Sequence, residues 1–336
     1  MGTQTKNKKS KTPRKSADDV ITESIIATCY KRIEDYETKG IQLPHWMKPW
    51  EGNNQIPQSI QDILKCDCHK GTVKTKDYRG TNIILLSILS GLYGHSLPYF
   101  ITFNKTKALG GRIKKGAKSY PVVYTEPVKF NRETNERLTK AQAETLPKEL
   151  IKTIWFTRYY RVFNVEDTEG LDLDVAVKTN EGTSLNPNQK AQAIFDNMPN
   201  RPTVNMSDGD RNYYSPSTDT IVLVKSEYYL NEDGTTNWNQ YWSTNFHELG
   251  HSTAHPSRLN LKNNVGHKFG NEKYAYEELR AEFTASILCN RVGIENTQEN
   301  SVAYLLSWIQ ALKNDTKLFR TASRDAFKAV EYIDPS

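Results

Sequence analysis

The chain has 336 residues, 37% hydrophobic and 10% aromatic. That composition excludes global disorder, and the length makes two domains the default, because single cores rarely grow beyond about 250–300 residues. The net charge of +6 conceals an asymmetry: residues 1–165 hold 29 Lys+Arg against 15 Asp+Glu, whereas residues 166–336 hold 16 against 24. A polyanion suits the first half and not the second, so the halves are expected to have different partners.

Residues 1–16 carry Lys6, Lys8, Lys9, Lys11, Arg14 and Lys15 with no acid. Such a segment cannot bury enough apolar surface to order itself, and it reads as a disordered basic tail. It has no apolar stretch of the secretory type. Ile21, Ile25, Cys29, Ile33 and Tyr36 then recur at helical spacing, with Asp18 or Asp19 as the cap and Gly40 as the stop. The Pro-punctuated, aromatic stretch at 40–50 is a loop. Cys66-Asp67-Cys68-His69 lacks the two-residue gap of a zinc knuckle and reads as loop thiols. With Cys29 and Cys289 these cysteines make no regular disulfide framework, as expected of a reduced, cytoplasmic protein.

TNIILLSILSGL, from Thr81, predicts a helix capped by Thr81 or Asn82, and NKTKALGG a short helix broken at Gly110-Gly111. YPVVYTEPVKF (120–130) and IWFTRYYRVFNV (154–165) are β-rich and bracket a polar inserted loop. Residues 17–165 therefore form an α+β domain with a small antiparallel sheet. The acidic, Gly/Ser/Thr-containing stretch 166–186 is the linker. Residues 187–336 form a second, helix-rich domain, with a helix from Pro187, a turn and strand in YYSPSTDTIVLV, and helices near 239–255, 274–291, 298–313 and 315–332. No apolar run approaches the roughly 20 residues of a membrane span, so no membrane partner is expected.

HELGHSTAHPSRL, residues 247–259, carries the chemistry. Residues i and i+4 of a helix lie about 6 Å apart along the axis and about 40° apart in azimuth, so His247 and His251 can chelate one ion. Glu248 lies one residue round the helix, placed to act as general base on water held at an open fourth position. His255 is a further turn away, too far to share the ion with His247. A three-histidine site also needs glycine and histidine where the chain has Ala254 and Ser257. The remaining solution is a glutamate from a following helix. In YAYEELRAEF, Glu278 and Glu282 share one face, giving a ligand and a carboxylate that orients a histidine through its far N–H. Glu277 is the alternative ligand.

These residues resemble the ArdC-type antirestriction family over nearly the whole chain. YYSPSTDTIVLV, YWSTNFHELGHSTAHPSRL and FGNEKYAYEELRAEF are similar to its zincin-like metallopeptidase domain. PHWMKPW, KTKDYRGTN, PYFITFNKTKALGGRIKKGAKS and YYRVFNVEDTEGL are similar to its N-terminal single-stranded DNA-binding domain. The resemblance implies a cytoplasmic protein of a mobile genetic element that binds single-stranded DNA and protects incoming DNA from host restriction. It also implies a metal at His247, His251 and a glutamate, placed at Glu278: zinc, with Mn2+ or Co2+ as rivals.

Single strands are held by basic grooves along the phosphates and aromatic faces under the bases. Residues 105–118 carry Lys105, Lys107, Arg112, Lys114, Lys115 and Lys118 with no acid among them, and Arg79 stands nearby with Tyr78 as the expected stacking ring. Trp46, Trp50, Tyr99 and Phe103 are further aromatics in the same half. Two rival functions stay open: a pure strand binder with a structural metal, and an active zinc protease cutting a host restriction or regulatory protein.

Overall fold

The computed structural model describes residues 15–40, 56–66, 69–171, 185–261, 272–294 and 302–335. The basic tail through Arg14, Trp46, Trp50 and Cys68 lie outside the described residues.

The first half runs α1 (Ala17–Lys39), β1 (Gln58–Cys66), β2 (His69–Asp77), α2 (Thr81–Leu92), β3 (Tyr99–Ile101), α3 (Phe103–Ala108), β4 (Arg112–Ile113), β5 (Tyr120–Asn131), α4 (Lys140–Thr145), β6 (Ile151–Asn164) and β7 (Thr168–Glu169). Helix α1 starts two or three residues earlier than Asp18 or Asp19 would set it. Ser16 is the cap and Asp19 closes a capping box, while Gly40 ends the helix at φ 64°, a left-handed conformation that favours glycine. Asn82 does not cap α2; its amide reads the backbone of β5 instead, accepting from Val123 N at 2.9 Å and donating to Val123 O at 2.8 Å.

The main sheet has strand order β2-β1-β3-β6-β5. All its junctions are antiparallel except β1–β3, which is parallel. β5 and β6 form one long ribbon, and the polar stretch between them is structured, with α4 held by a Thr139–Gln142 capping box. Residues 166–171, the start of the expected linker, are held on the first half. Glu166 accepts from Ser96 N and Leu97 N at 2.8 and 2.9 Å, and β7 pairs with β4.

The second half runs α5 (Pro187–Asn197), β8 (Thr203–Ser207), β9 (Tyr213–Ser215), β10 (Thr220–Val224), α6 (Trp238–Ser252), α7 (Glu272–Val292), α8 (Val302–Asn314) and α9 (Leu318–Ile333). Its sheet has order β8-β10-β9, which leaves the short β9 at an edge. Helices dominate the rest.

One buried cluster runs through both halves, from Ile25, Leu85 and Tyr120 to Phe246, Phe283 and Phe319. Each such side chain contributes about 1.5–3 kcal/mol by leaving water. Helix α1 makes the connection. Thr22 Oγ1 donates to Thr316 O at 2.9 Å, and Arg320 clasps Asp18 through two hydrogen bonds of 2.6 and 3.0 Å. No helix among the described residues is long and apolar enough to cross a membrane.

Candidate metal centre and nucleic-acid surface

Helix α6 brings its motif to the interior because Phe246 and Leu249 are fully buried, which turns His247 and His251 toward α7. The two helices meet at Gly250. A Cβ there would stand 3.1 Å from Ala281 Cα and 3.3 Å from Thr284 Cβ, tighter than ordinary packing, so glycine favours this close approach. Arg280 then locks the pair. Fully buried on α7, it donates to Gly250 O and Thr253 Oγ1, both at 2.7 Å, and to His251 O at 3.4 Å. Its charge sits at the C-terminal end of α6, where the helix dipole favours a cation.

The result is a convergent donor set. His247 Nε2 and His251 Nε2 are 2.9 Å apart, and the Glu278 carboxylate lies 3.6 Å from the first and 3.5 Å from the second. Donors about 2.0–2.2 Å from a tetrahedral ion stand about 3.4 Å from one another, so this set can hold a divalent metal. Among the described residues, this is the group of His, Cys, Asp and Glu side chains whose ligand atoms all come within 4.8 Å. Glu282, buried on the same face of α7, stands 3.7 Å from His247 Nδ1. Glu277 also lines the cleft but is not in the donor set. His255 lies in the turn after α6, its Nδ1 2.8 Å from Ser257 Oγ.

Electrostatics follow from this crowding. Burial opposes a proton on His247, but Glu278 and Glu282 outweigh it and keep the ring cationic. Burial, then the His247 charge, holds His251 neutral. Burial works against the Glu278 anion too, yet His247 and His251 pull its carboxyl down to about 2. A metal ion would compete with protons for these same nitrogens. Glu248 has fewer cations to offset its burial, which pushes its carboxyl upward.

The donors open on a cleft of about 410 Å3 lined by Asn212, Tyr214, Pro216, Glu248, Ala254 and Tyr274 among others. Tyr214 belongs to edge strand β9, and its backbone lies against the Glu248 carboxylate. A network that sequence reasoning missed ties this strand to α6. The buried Arg258 pairs with Asp219, and donates to Ser252 O at 2.7 Å, Asn200 O at 3.0 Å and Tyr214 Oη at 3.2 Å. Arg258 stands in HPSRL, directly after the motif, but nothing local names Asp219 as its partner.

The model for the N-terminal domain of anti-restriction factor ArdC matches residues 19–163. A zincin-like metallopeptidase model matches residues 189–325. Crystal structures of antirestriction protein ArdC from plasmid R388, Mn(II)-bound and metal-free, share the fold over both halves, with TM-scores of 0.62 and 0.61 at 27% identity. The alignments cover 95% and 94% of this chain, and 97% and 96% of theirs. The chain belongs to the ArdC-type antirestriction family. A DNA primase TraC of Escherichia coli is 31% identical over 293 residues, which is 86% of this chain but 25% of the primase. This chain thus spans about a quarter of that relative's length.

On the ArdC-type N-terminal half, the residues expected to meet DNA divide. Arg79, Lys107, Arg112, Lys114, Lys115 and Lys118 are exposed, and Lys105 is half-buried. Two of them are engaged locally: Arg112 pairs with Glu169 at 2.6 Å, and Lys114 Nζ donates to Glu166 O at 2.6 Å. Lys105 lies 3.7 Å from Asp62. Tyr78 is the correction. It is 7% exposed and packs edge-to-face on Phe100, so a base cannot stack on it; its alternation with basic neighbours looks the same whether the ring points in or out. Tyr99 is likewise buried, whereas Phe103 is exposed.

Proposed function

We propose that this ArdC-type protein binds single-stranded DNA through its basic half and protects incoming DNA of a mobile element from host restriction. In this reading the second half is a metal-dependent, peptidase-like domain. The observation that carries it is the joining, in one chain, of an ArdC N-terminal domain with a convergent His247–His251–Glu278 set beside Glu248. The Mn(II)-bound ArdC relative supports a divalent ion in this chain, and the donor set offers it a place; zinc is the first candidate by donor type.

A bound ion supplies Lewis-acid polarisation and activates water near neutral pH. The protein's own residues supply the rest. His247, His251 and Glu278 would hold the ion, and Glu282, 3.7 Å from His247 Nδ1, is the carboxylate placed to orient that ring. Glu248, made more basic by burial, takes up a proton and returns it to a leaving amine.

The deciding experiment is Glu248→Ala in the full chain, with His247→Ala as the control for metal content. Glu248→Ala is expected to lower peptide hydrolysis by about 100-fold or more while leaving metal content and DNA affinity unchanged. Protection of transferred DNA that survives this change assigns protection to strand binding alone. Loss of protection with DNA affinity intact assigns it to proteolysis of a host protein. Full metal content in His247→Ala would overturn the ligand set.

A further inference from the structure

We infer that one face of the β5–β6 ribbon is the platform on which the bases of a single strand stack. The inference rests on the proposed binding of single-stranded DNA and gives it an address that the basic segment does not.

The register of the ribbon pairs Val122 with Tyr160, Tyr124 with Arg158 and Glu126 with Phe156, so these residues share a face. The face begins in the core, where Tyr120, Val122 and Val162 are buried. Beyond them it opens, with Tyr124 43% exposed, Phe156 38% and Tyr160 36%, before it is covered again at Val128. The rings of Tyr124 and Tyr160 lie 5.9 Å apart and tilted, and Phe156 lies 6.3 Å from Phe130. Arg158 stands between the two aromatic pairs, with its guanidinium over the Phe156 ring at 5.8 Å.

Along β6 the face reads aromatic, cation, aromatic, at steps of about 6.8 Å. A protein interface has a contiguous apolar centre, which the Arg158–Glu126 pair interrupts here. A nucleic-acid strand instead uses separate π-faces with cations between them. Charge agrees: the half of the chain that carries this face has 29 Lys+Arg against 15 Asp+Glu, and the basic segment 105–118 leads straight into β5. The opposite face offers only Trp155 as a large exposed ring, opposite Pro127 and flanked by Thr153 and Thr157. Tyr160 also adjoins the buried Tyr78, so the stacking role expected of Tyr78 passes to the ring beside it.

The test uses the full chain, a dye-labelled oligo-dT, and an abasic strand of equal length and charge, with anisotropy read across salt concentrations. Wild type is expected to prefer oligo-dT. The double variant Tyr124→Ala/Tyr160→Ala should lose about ten-fold or more on oligo-dT and little on the abasic strand, with the salt slope unchanged. Tyr124→Phe/Tyr160→Phe should keep wild-type affinity, which separates loss of rings from loss of fold. Unchanged oligo-dT affinity in the alanine variant would overturn the platform while leaving strand binding in place. A wild-type chain that bound neither strand at low salt would overturn strand binding itself. If the alanine variant instead dissolved a dimer without touching DNA affinity, the face would be a self-interface and the inference would fail.

Discussion

The α6–α7 crossing and the β5–β6 ribbon carry charge in opposite ways. At the crossing, His247, Glu248, Arg280 and Glu282 are all buried, and the neighbouring His251 and Glu278 are half-buried. On the ribbon, Arg158 and Glu126 make their ion pair in partial contact with water, and the strands are held by backbone pairing. The interior site is therefore intolerant of change but fixed in geometry. The ribbon is cheap to alter, and substitutions there should act on binding rather than on folding.

The strongest attempt to break this contrast is Gly250→Val. The new side chain would drive α6 from Ala281 and Thr284, at a cost of about 2–3 kcal/mol. Denaturant unfolding should show that loss together with reduced metal content; wild-type values for both would mean the helices tolerate separation. A smaller effect concerns Asp325, which joins α9 to α7 by accepting from Tyr276 Oη at 2.6 Å. Burial raises its carboxyl, but Arg324, Tyr276 and Lys328 outweigh this and bring it down to about 2. A carboxyl lowered on folding contributes stability that is fully present above its ordinary pKa and lost as pH falls toward the folded value. Asp325→Asn should therefore cost about 1 kcal/mol at neutral pH, after screening by solvent, and progressively less between about pH 4 and pH 2. A gap between variant and wild type that stayed constant over that range would remove the ion pair as its cause. The smallest effect is expected of Glu126→Gln on the ribbon, about 0.5 kcal/mol or less in thermal unfolding, because the pair is exposed. A loss as large as that at Gly250 would show the ribbon to be as coupled as the interior.

Much of the candidate metal centre could be read in the sequence because its first half is local. His247, Glu248 and His251 lie within five consecutive residues, and helical geometry alone brings them to one side. The choice of Glu278 over Glu277 was open until α7 was placed, since both stand on the inner side of the same helix and both line the cleft. The nucleic-acid half was less legible. Exposed lysines were easy to expect, but Tyr78 and Tyr160 are equally aromatic and equally close to cations, and sequence carries no sign of which one the core absorbs. β1 and β2 escaped the sequence reading as well, because HKGTVKTKD is too polar to show a buried face.

What the sequence by itself determined is the material that acts within one turn or one strand: the charge division between halves, the placing of His247, Glu248 and His251 on one side of a helix, and the β-rich character of 120–130 and 154–165. Tertiary structure decided which of these groups meet and which reach solvent. The close approach at Gly250 and the Arg280 lock carry Glu278 to the histidines, and the packing of Tyr78 on Phe100 leaves Tyr160 outside. Both outcomes depend on contacts between residues far apart in the chain, where helical or strand periodicity names a face but not its partner.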